Sequence, residues 1–421
     1  MKQLWMAGAM LLGCTTAPPT MAPALEGPSV TAPSVTASST TTTPTLDDVI
    51  ARDGVPFEPG TLPPSLIERM AAQRVVMVGE HHGYREHHDL LLDVVKALHE
   101  HGTRWVLFEG FQAESWSANA YVTGAIDTLS APTKKYFGYT LDRLAAFNQT
   151  LPDAEREHVA FIDIDHRPWA FPLALAHRLA HRDMPACVAT FVDEAGWERS
   201  LPFDEAKAAF ERTFAAGPRA YRRHLQALAR DLKAGVCLAQ SPVREEIAEM
   251  ADVALDSLRI RAIWDGEGEH AAHPLREDAI KAMVDRRLET TTGPVVLNMG
   301  GFHLQKTHVM GTPKQWLGEH LGSPTHPAGG AVLRLYVQFA RAQRTRDGET
   351  FWWSLEDERR PGELLGSVHR HTPDRAVFLP VSEPWWSRNV LPVSYMYQVV
   401  EHAPGAVFDG YILLPEGHQL D

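Results

Sequence analysis

The stretch VVMVGEHHGYREHHDLLLDVVKALHEHGTRWVLFEG, residues 75–110, constrains the fold more than any other part of the chain. Residues 75–78 form an unbroken apolar run, as expected of a strand covered on both faces. Over residues 86–101 apolar side chains recur at Leu90, Leu91, Val94, Val95 and Leu98, the spacing of a helix with one face turned inward. Gly102 suits the end of that helix, and residues 105–108 open a second apolar strand. Two parallel strands need a long connection, and strand–helix–strand within 36 residues fits a right-handed crossover. The expectation is an α/β fold with a mainly parallel central sheet flanked by helices.

HVAFIDID (158–165), GPVVLNMGG (293–301), AVLRLYVQF (331–339) and FDGYILLP (408–415) read as further buried strands. Between them lie amphipathic segments at 203–214, 219–233, 243–259 and 275–288, which predict a helical insertion over 203–288. No repeat and no linker follow Thr45, so residues 46–421 are expected to form one domain.

The N-terminus differs in kind. Lys2 precedes a short apolar run, too short for a mature membrane helix of about 20 residues, and Leu11-Leu12-Gly13-Cys14 closes it. The run reads as a signal peptide over residues 1–13, and its end resembles the bacterial lipobox, which makes Cys14 the lipidation site. Residues 14–45, rich in Thr, Pro, Ser and Ala, have too little apolar surface to fold and read as a tether. A lipid anchor in the cell envelope follows, at the bacterial outer membrane or cell surface. The net charge of −13 argues against nucleic acid as a partner. Of three cysteines, Cys187 and Cys237 remain in the folded body, to pair or to stay free.

In open parallel sheets, ligands bind beyond the carboxyl ends of the strands. The residues following the predicted strands are Glu80, His81 and His82; Glu109; Asp163, Asp165 and His166; and His303, Lys306 and His308. Glu80, His82, Glu109 and His303 suit two chemistries. His82, His303 and Glu109 could hold a divalent metal that lowers the pKa of a bound water. Alternatively, a histidine positioned by a carboxylate serves as general base without metal. His87 and His88, in the first turn of the helix, are expected at the rim of the site in contact with substrate or haem. Arg85 and Arg276 could pair with a substrate carboxylate or a developing oxyanion. No Gly-x-Ser-x-Gly, His-Glu-x-x-His or Walker loop occurs, which sets aside serine hydrolases, zincins and P-loop enzymes.

GEHHGYREHH resembles the Gly-Glu-x-His…His-His pattern of ChaN-like haem-uptake proteins. The wider superfamily includes the Tiki/TraB metalloproteases and the erythromycin esterases. Gly79-Glu80-His81-His82 and Gly300-Gly301-Phe302-His303 resemble the two Gly-x-x-His motifs of the Tiki-like members, with Glu109 as their glutamate. GFHLQK, then Met310-Gly311, Leu317 and Leu321-Gly322, is similar to the late histidine segment of erythromycin esterases. FDGYILLPE resembles their terminal strand, and FIDID a family strand whose aspartate maps to Asp165. Two features depart from the esterases: the Glu-to-His spacing is one residue shorter, and REDAIKA carries Lys281 where they have methionine. The resemblance implies a membrane-anchored hydrolase of a small-molecule or peptide substrate, activating water at Glu80, His82, Glu109 and His303. His87, His88, Arg85, Asp165, Lys306 and Arg276 would bind substrate, with a divalent metal as cofactor in one version. It implies as alternatives a haem- or iron-binding surface lipoprotein, or an envelope lipoprotein without catalysis.

Overall fold

The computed structural model describes residues 44–181, 184–346, 349–355, 363–395 and 398–420. The expected signal peptide, Cys14 and nearly all of the tether lie outside the described residues. From Pro44 onward the chain forms one unit.

Its strands are β1 (Val55–Phe57), β2 (Val75–Glu80), β3 (Trp105–Phe111), β4 (His158–Asp163), β5 (Val295–Gly300), β6 (Val332–Arg346), β7 (Glu349–Ser354), β8 (Ala376–Pro380), β9 (Leu391–Tyr395), β10 (Gln398–His402) and β11 (Gly410–Gly417). Nine of them make one sheet in the order β1-β8-β11-β6-β2-β5-β3-β4, with β7 pairing antiparallel to the C-terminal stretch of β6 beyond the reach of β2; β9 and β10 pair separately. From β11 to β4 the neighbours are parallel. The α/β reading with a mainly parallel sheet is borne out, and fifteen α-helices surround that sheet among the described residues.

The apolar runs explain why β2, β5, β3 and β4 occupy one half of the sheet. Val75 and Met77 join one core cluster with Leu107, Ala160, Val295 and Leu297. Val76 and Val78 join the opposite one with Val106, Phe108, Val159, Phe161 and Val296. Alternate side chains thus leave water on both faces, each fully buried aliphatic contributing about 1.5–3 kcal/mol. Between β2 and β3 runs the helix Arg85–His99, followed by Gly102 in the left-handed region at φ 89°, where a Cβ would be strained.

The helical middle is wider than the sequence periodicity suggests. It begins at Ala170–His181, continues through Ala186–Glu194, Phe203–Ala216, Pro218–Lys233 and Arg244–Glu267, and ends at Glu269–Thr290. The first of these helices escaped the amphipathic pattern because AFPLALA is buried nearly all round. These helices enclose a third apolar core, with Phe171, Phe191, Trp197, Phe210, Leu225 and Leu232 inside it. Cys187 and Cys237, 50 positions apart, are joined by a disulfide.

Candidate functional site

Register brings the two Gly-x-x-His motifs together. In the β2–β5 pair, Glu80 lies opposite Gly300, so His82 and His303 both leave the sheet at the same edge. Glu109 comes from β3, the neighbour of β5 on its other side. Gly300 has an ordinary φ of −49°; its lack of a side chain serves space rather than a left-handed turn. A Cβ built there would stand 3.1 Å from Glu109 Oε2, 3.6 Å from His303 Cδ2 and 3.9 Å from His82 Nε2. Gly301 is confined as well, since its Cβ would meet the Tyr336 ring at 2.5 Å.

Each histidine has a carboxylate behind it and Glu109 in front. His82 Nδ1 lies 3.2 Å from Glu80 Oε1, and its Nε2 lies 3.9 Å from Glu109 Oε2. His303 donates from Nδ1 to Glu277 Oε2 at 2.6 Å, and its Nε2 lies 3.6 Å from Glu109 Oε1. The backing carboxylates hold a proton on Nδ1 and turn Nε2 of both rings toward Glu109. Glu109 is itself fixed. The Gly300 amide donates to its Oε2 at 2.7 Å, and Arg276 donates to its Oε1. Arg276 also grips Asp163 at the end of β4 with two bonds of 2.9 and 2.6 Å. His166 donates from Nε2 to that same aspartate at 2.8 Å.

The electrostatics follow from four carboxylates interleaved with two histidines and one guanidinium, which itself bonds Glu109 and Asp163. Burial works to raise the Glu80 pKa, but His82 outweighs it and the value falls to about 2. Desolvation lowers that of His82, yet Glu80 and then Glu109 lift it to about 9. For His303 burial is again overcome, here by Glu277 and Glu109, and the value reaches about 10. Glu109 is held well below its usual range despite burial, by His303 and Arg276. The His303 ring is 7% exposed, whereas 64% of the His82 side chain is open to solvent. Of the two, His82 is the histidine open to solvent.

The remaining expected site residues lie in varied places. His87 and His88 are 0% and 2% exposed, so neither reaches a rim. His87 donates from Nε2 to Asn298 at 2.7 Å, Asn298 donates to Glu80, and His88 bonds Thr140 at 2.7 Å. His87 thus supports Glu80 through Asn298. Arg85 is exposed at the start of its helix, and Lys306 pairs with Asp409 at 2.9 Å. Arg276 contacts Glu109 and Asp163, which makes it a clamp on the site's carboxylates. His81 packs against Tyr336 and Phe339, on the other side of its strand from His82.

Asp165 is buried away from this group and accepts the Ala113 amide at 3.1 Å, with Oδ2 unpartnered. Its pKa is pushed up to about 8, chiefly by burial. In the folded protein it keeps a proton that the unfolded chain loses near 4, so its cost to stability grows between these values and is constant above them. Asp165→Asn should raise the melting temperature at pH 8 and leave it unchanged near pH 3. Equal shifts at both values would sink this account.

Residues missed from sequence complete the site: Asn298, Glu277 and the Gly300 amide. Asn298 carried a signal, being polar inside an apolar strand. So did Glu277, adjacent to Arg276 on the Glu269–Thr290 helix.

One group with metal-ligand chemistry occurs among the described residues, Asp285, His320 and His326, apart from the residues above. His320 and His326 approach Asp285 at 2.9 and 3.0 Å. The Ala328 amide donates to His326 Nδ1 at 3.0 Å. A neutral His326 therefore carries its proton on Nε2 and donates it to Asp285, an arrangement that a metal would have to displace. At Glu109 the fit to a dication is also poor, because Arg276 already places a positive charge on Oε1.

An α/β frame with a histidine–carboxylate site at the carboxyl ends of its parallel strands defines the class. Residues 66–145, with Glu80, His82 and Glu109 among them, match the family model for haem-binding uptake, Tiki superfamily, ChaN. No curated protein matches the chain. A Bacillus cereus protein of known structure superposes with TM-score 0.65 at 14% identity, over 89% of this chain and 97% of its own. A succinoglycan biosynthesis protein does so with TM-score 0.65 at 11% identity, over 89% and 97%. The erythromycin esterase EreC, as a histidine-to-asparagine mutant in its open conformation, gives 0.61 at 15% identity, over 87% and 98%. These three similarities establish the shared fold.

Proposed function

We propose that the protein is an envelope-anchored hydrolase of carboxylic esters in which a carboxylate-backed histidine activates water. The observation that carries this reading is the arrangement Glu80–His82 and Glu277–His303, with both Nε2 atoms facing Glu109. His82, exposed and backed by Glu80, is the general base for water. His303, a buried imidazolium, and Arg276 hold Glu109 and supply positive charge where the tetrahedral oxyanion forms. The fold shared with an erythromycin esterase over most of both chains agrees with ester chemistry. The Arg276–Glu109 contact favours the metal-free version over a metal-bound one. For the compartment, the disulfide supports an oxidising surrounding, and the lipobox-like Cys14 supplies the anchor. Cys14→Ser should shift the protein from the membrane fraction to the soluble fraction.

The pH dependence tests the base. With its pKa lifted to about 9, His82 is mostly protonated at neutral pH, and only the neutral ring takes a proton from water. kcat/KM for 4-nitrophenyl acetate, whose leaving group departs as a stable anion without an acid, should therefore rise tenfold per pH unit below about 9 and level off above it. A profile that falls across this range would assign His82 the opposite role.

A second reading, haem binding, is favoured by the description of the family matched at residues 66–145. His82 is the exposed imidazole available as an axial ligand, although its proton competes with iron. Titration with haemin decides: a Soret shift lost in His82→Gln supports binding at this site, and an unchanged spectrum excludes it.

A further inference from the structure

Ester cleavage needs a proton at two places: one leaves the attacking water and one must reach the departing alkoxide. His82 accounts for the first. The other histidines near the clamp are mostly engaged at both nitrogens. His303 has Glu277 on Nδ1 and Glu109 facing Nε2. His273 has Glu269 at 3.0 Å from Nε2 and Thr312 at 3.2 Å from Nδ1. His166 differs. Asp163 holds its Nε2–H, its side chain is 33% exposed, and among the described residues nothing bonds its Nδ1. It packs beside Phe111, with ring centroids 6.1 Å apart.

Sheet order places His166 opposite His82. Along the carboxyl edge the strands run β2, β5, β3, β4. His82 leaves β2 and reaches over β5 to Glu109 on β3. His166 is tied to Asp163 at the end of β4, and Arg276 joins Asp163 to Glu109. The two histidines therefore flank the Glu109–Arg276 pair from strands three spacings apart, or about 14 Å, an interval that His82 partly spans by reaching toward Glu109. A water and a scissile carbonyl fit in that interval.

We propose that His166 is the general acid of the reaction, an inference that rests on the hydrolase reading above. Water oxygen bonds to the acyl carbon as its proton passes to His82 Nε2. The bond from acyl carbon to alkoxy oxygen then breaks with its electron pair on oxygen, and that oxygen takes the proton of His166 Nδ1–H. His166 is left neutral with its Nε2–H still on Asp163, and solvent returns its proton while removing the one on His82. Asp163 is a positioning residue, fixing which nitrogen faces the substrate.

The test compares two acetate esters on the full-length protein and on His166→Gln. 4-Nitrophenolate departs as a stable anion and needs no acid, whereas ethoxide does. The variant should lose about 100-fold in kcat/KM on ethyl acetate and less than about 3-fold on 4-nitrophenyl acetate. Equal losses on both esters, or no loss on either, would overturn the role, and an equal loss would mean that His166 serves the architecture alone. His166→Asn repeats the comparison if the glutamine variant does not accumulate folded. If wild type cleaves neither ester, the hydrolase reading fails and takes this inference with it.

Discussion

His82→Gln is expected to lower kcat/KM for an ester by about 1,000-fold, within the range that positioned acid–base groups contribute, while the melting temperature stays near that of wild type. The ring is largely exposed, so little packing is lost, and substitutions at such positions usually change stability by no more than about 0.5 kcal/mol. Glutamine still offers Glu80 a donor. A variant within tenfold of wild type would remove His82 from the mechanism. His303 makes a less clean test. It is buried between Glu277 and Glu109, and alanine there would strip two buried carboxylates of their partner, a loss that costs stability as well as rate.

The double variant Cys187→Ser/Cys237→Ser should lose about 4 kcal/mol of stability, the loop-closure value for some 50 residues. The loss should be local. The bridge ties the helix Ala186–Glu194 to the turn after Pro218–Lys233, within the helical core rather than the sheet. Amide exchange should therefore accelerate across residues 186–237 with the β2–β5 amides still protected. Uniform acceleration through both regions would show that the helices and sheet unfold as one unit.

Much of the frame was legible because buried parallel strands announce themselves as apolar runs. Val75–Glu80, His158–Asp163 and Val295–Gly300 stand where the sequence suggested. Glu80, His82, Glu109 and His303 were legible for a related reason: polar residues directly after such a run emerge at the ligand edge. The signal decays once the chain turns. The Asp163 side chain accepts the amide of Ile164, which bends the backbone out of the strand. The alternation that would put Asp165 beside Asp163 ends there, and Asp165 is directed into the helical core. His87 and His88 misled because a polar pair at a helix start suggests solvent, whereas this helix begins against β5 and meets Asn298. Glu277 could not be placed at all without knowing that a helix of the central insertion returns over the strand ends.

That returning helix, Glu269–Thr290, bears on how such a protein could be re-engineered. From it Arg276 holds the ends of β3 and β4, Glu277 holds His303 and the Leu317 amide, and Asp285 holds His320 and His326. The helices from Ala170 to Glu267 contribute none of these bonds. A chimera that exchanges residues 170–267 for another helical segment, joined before Gly268, would replace the third apolar core while keeping the carboxylates and histidines of the site in register. Transplanting the whole insertion, with the last helix included, would import a clamp cut for a different sheet.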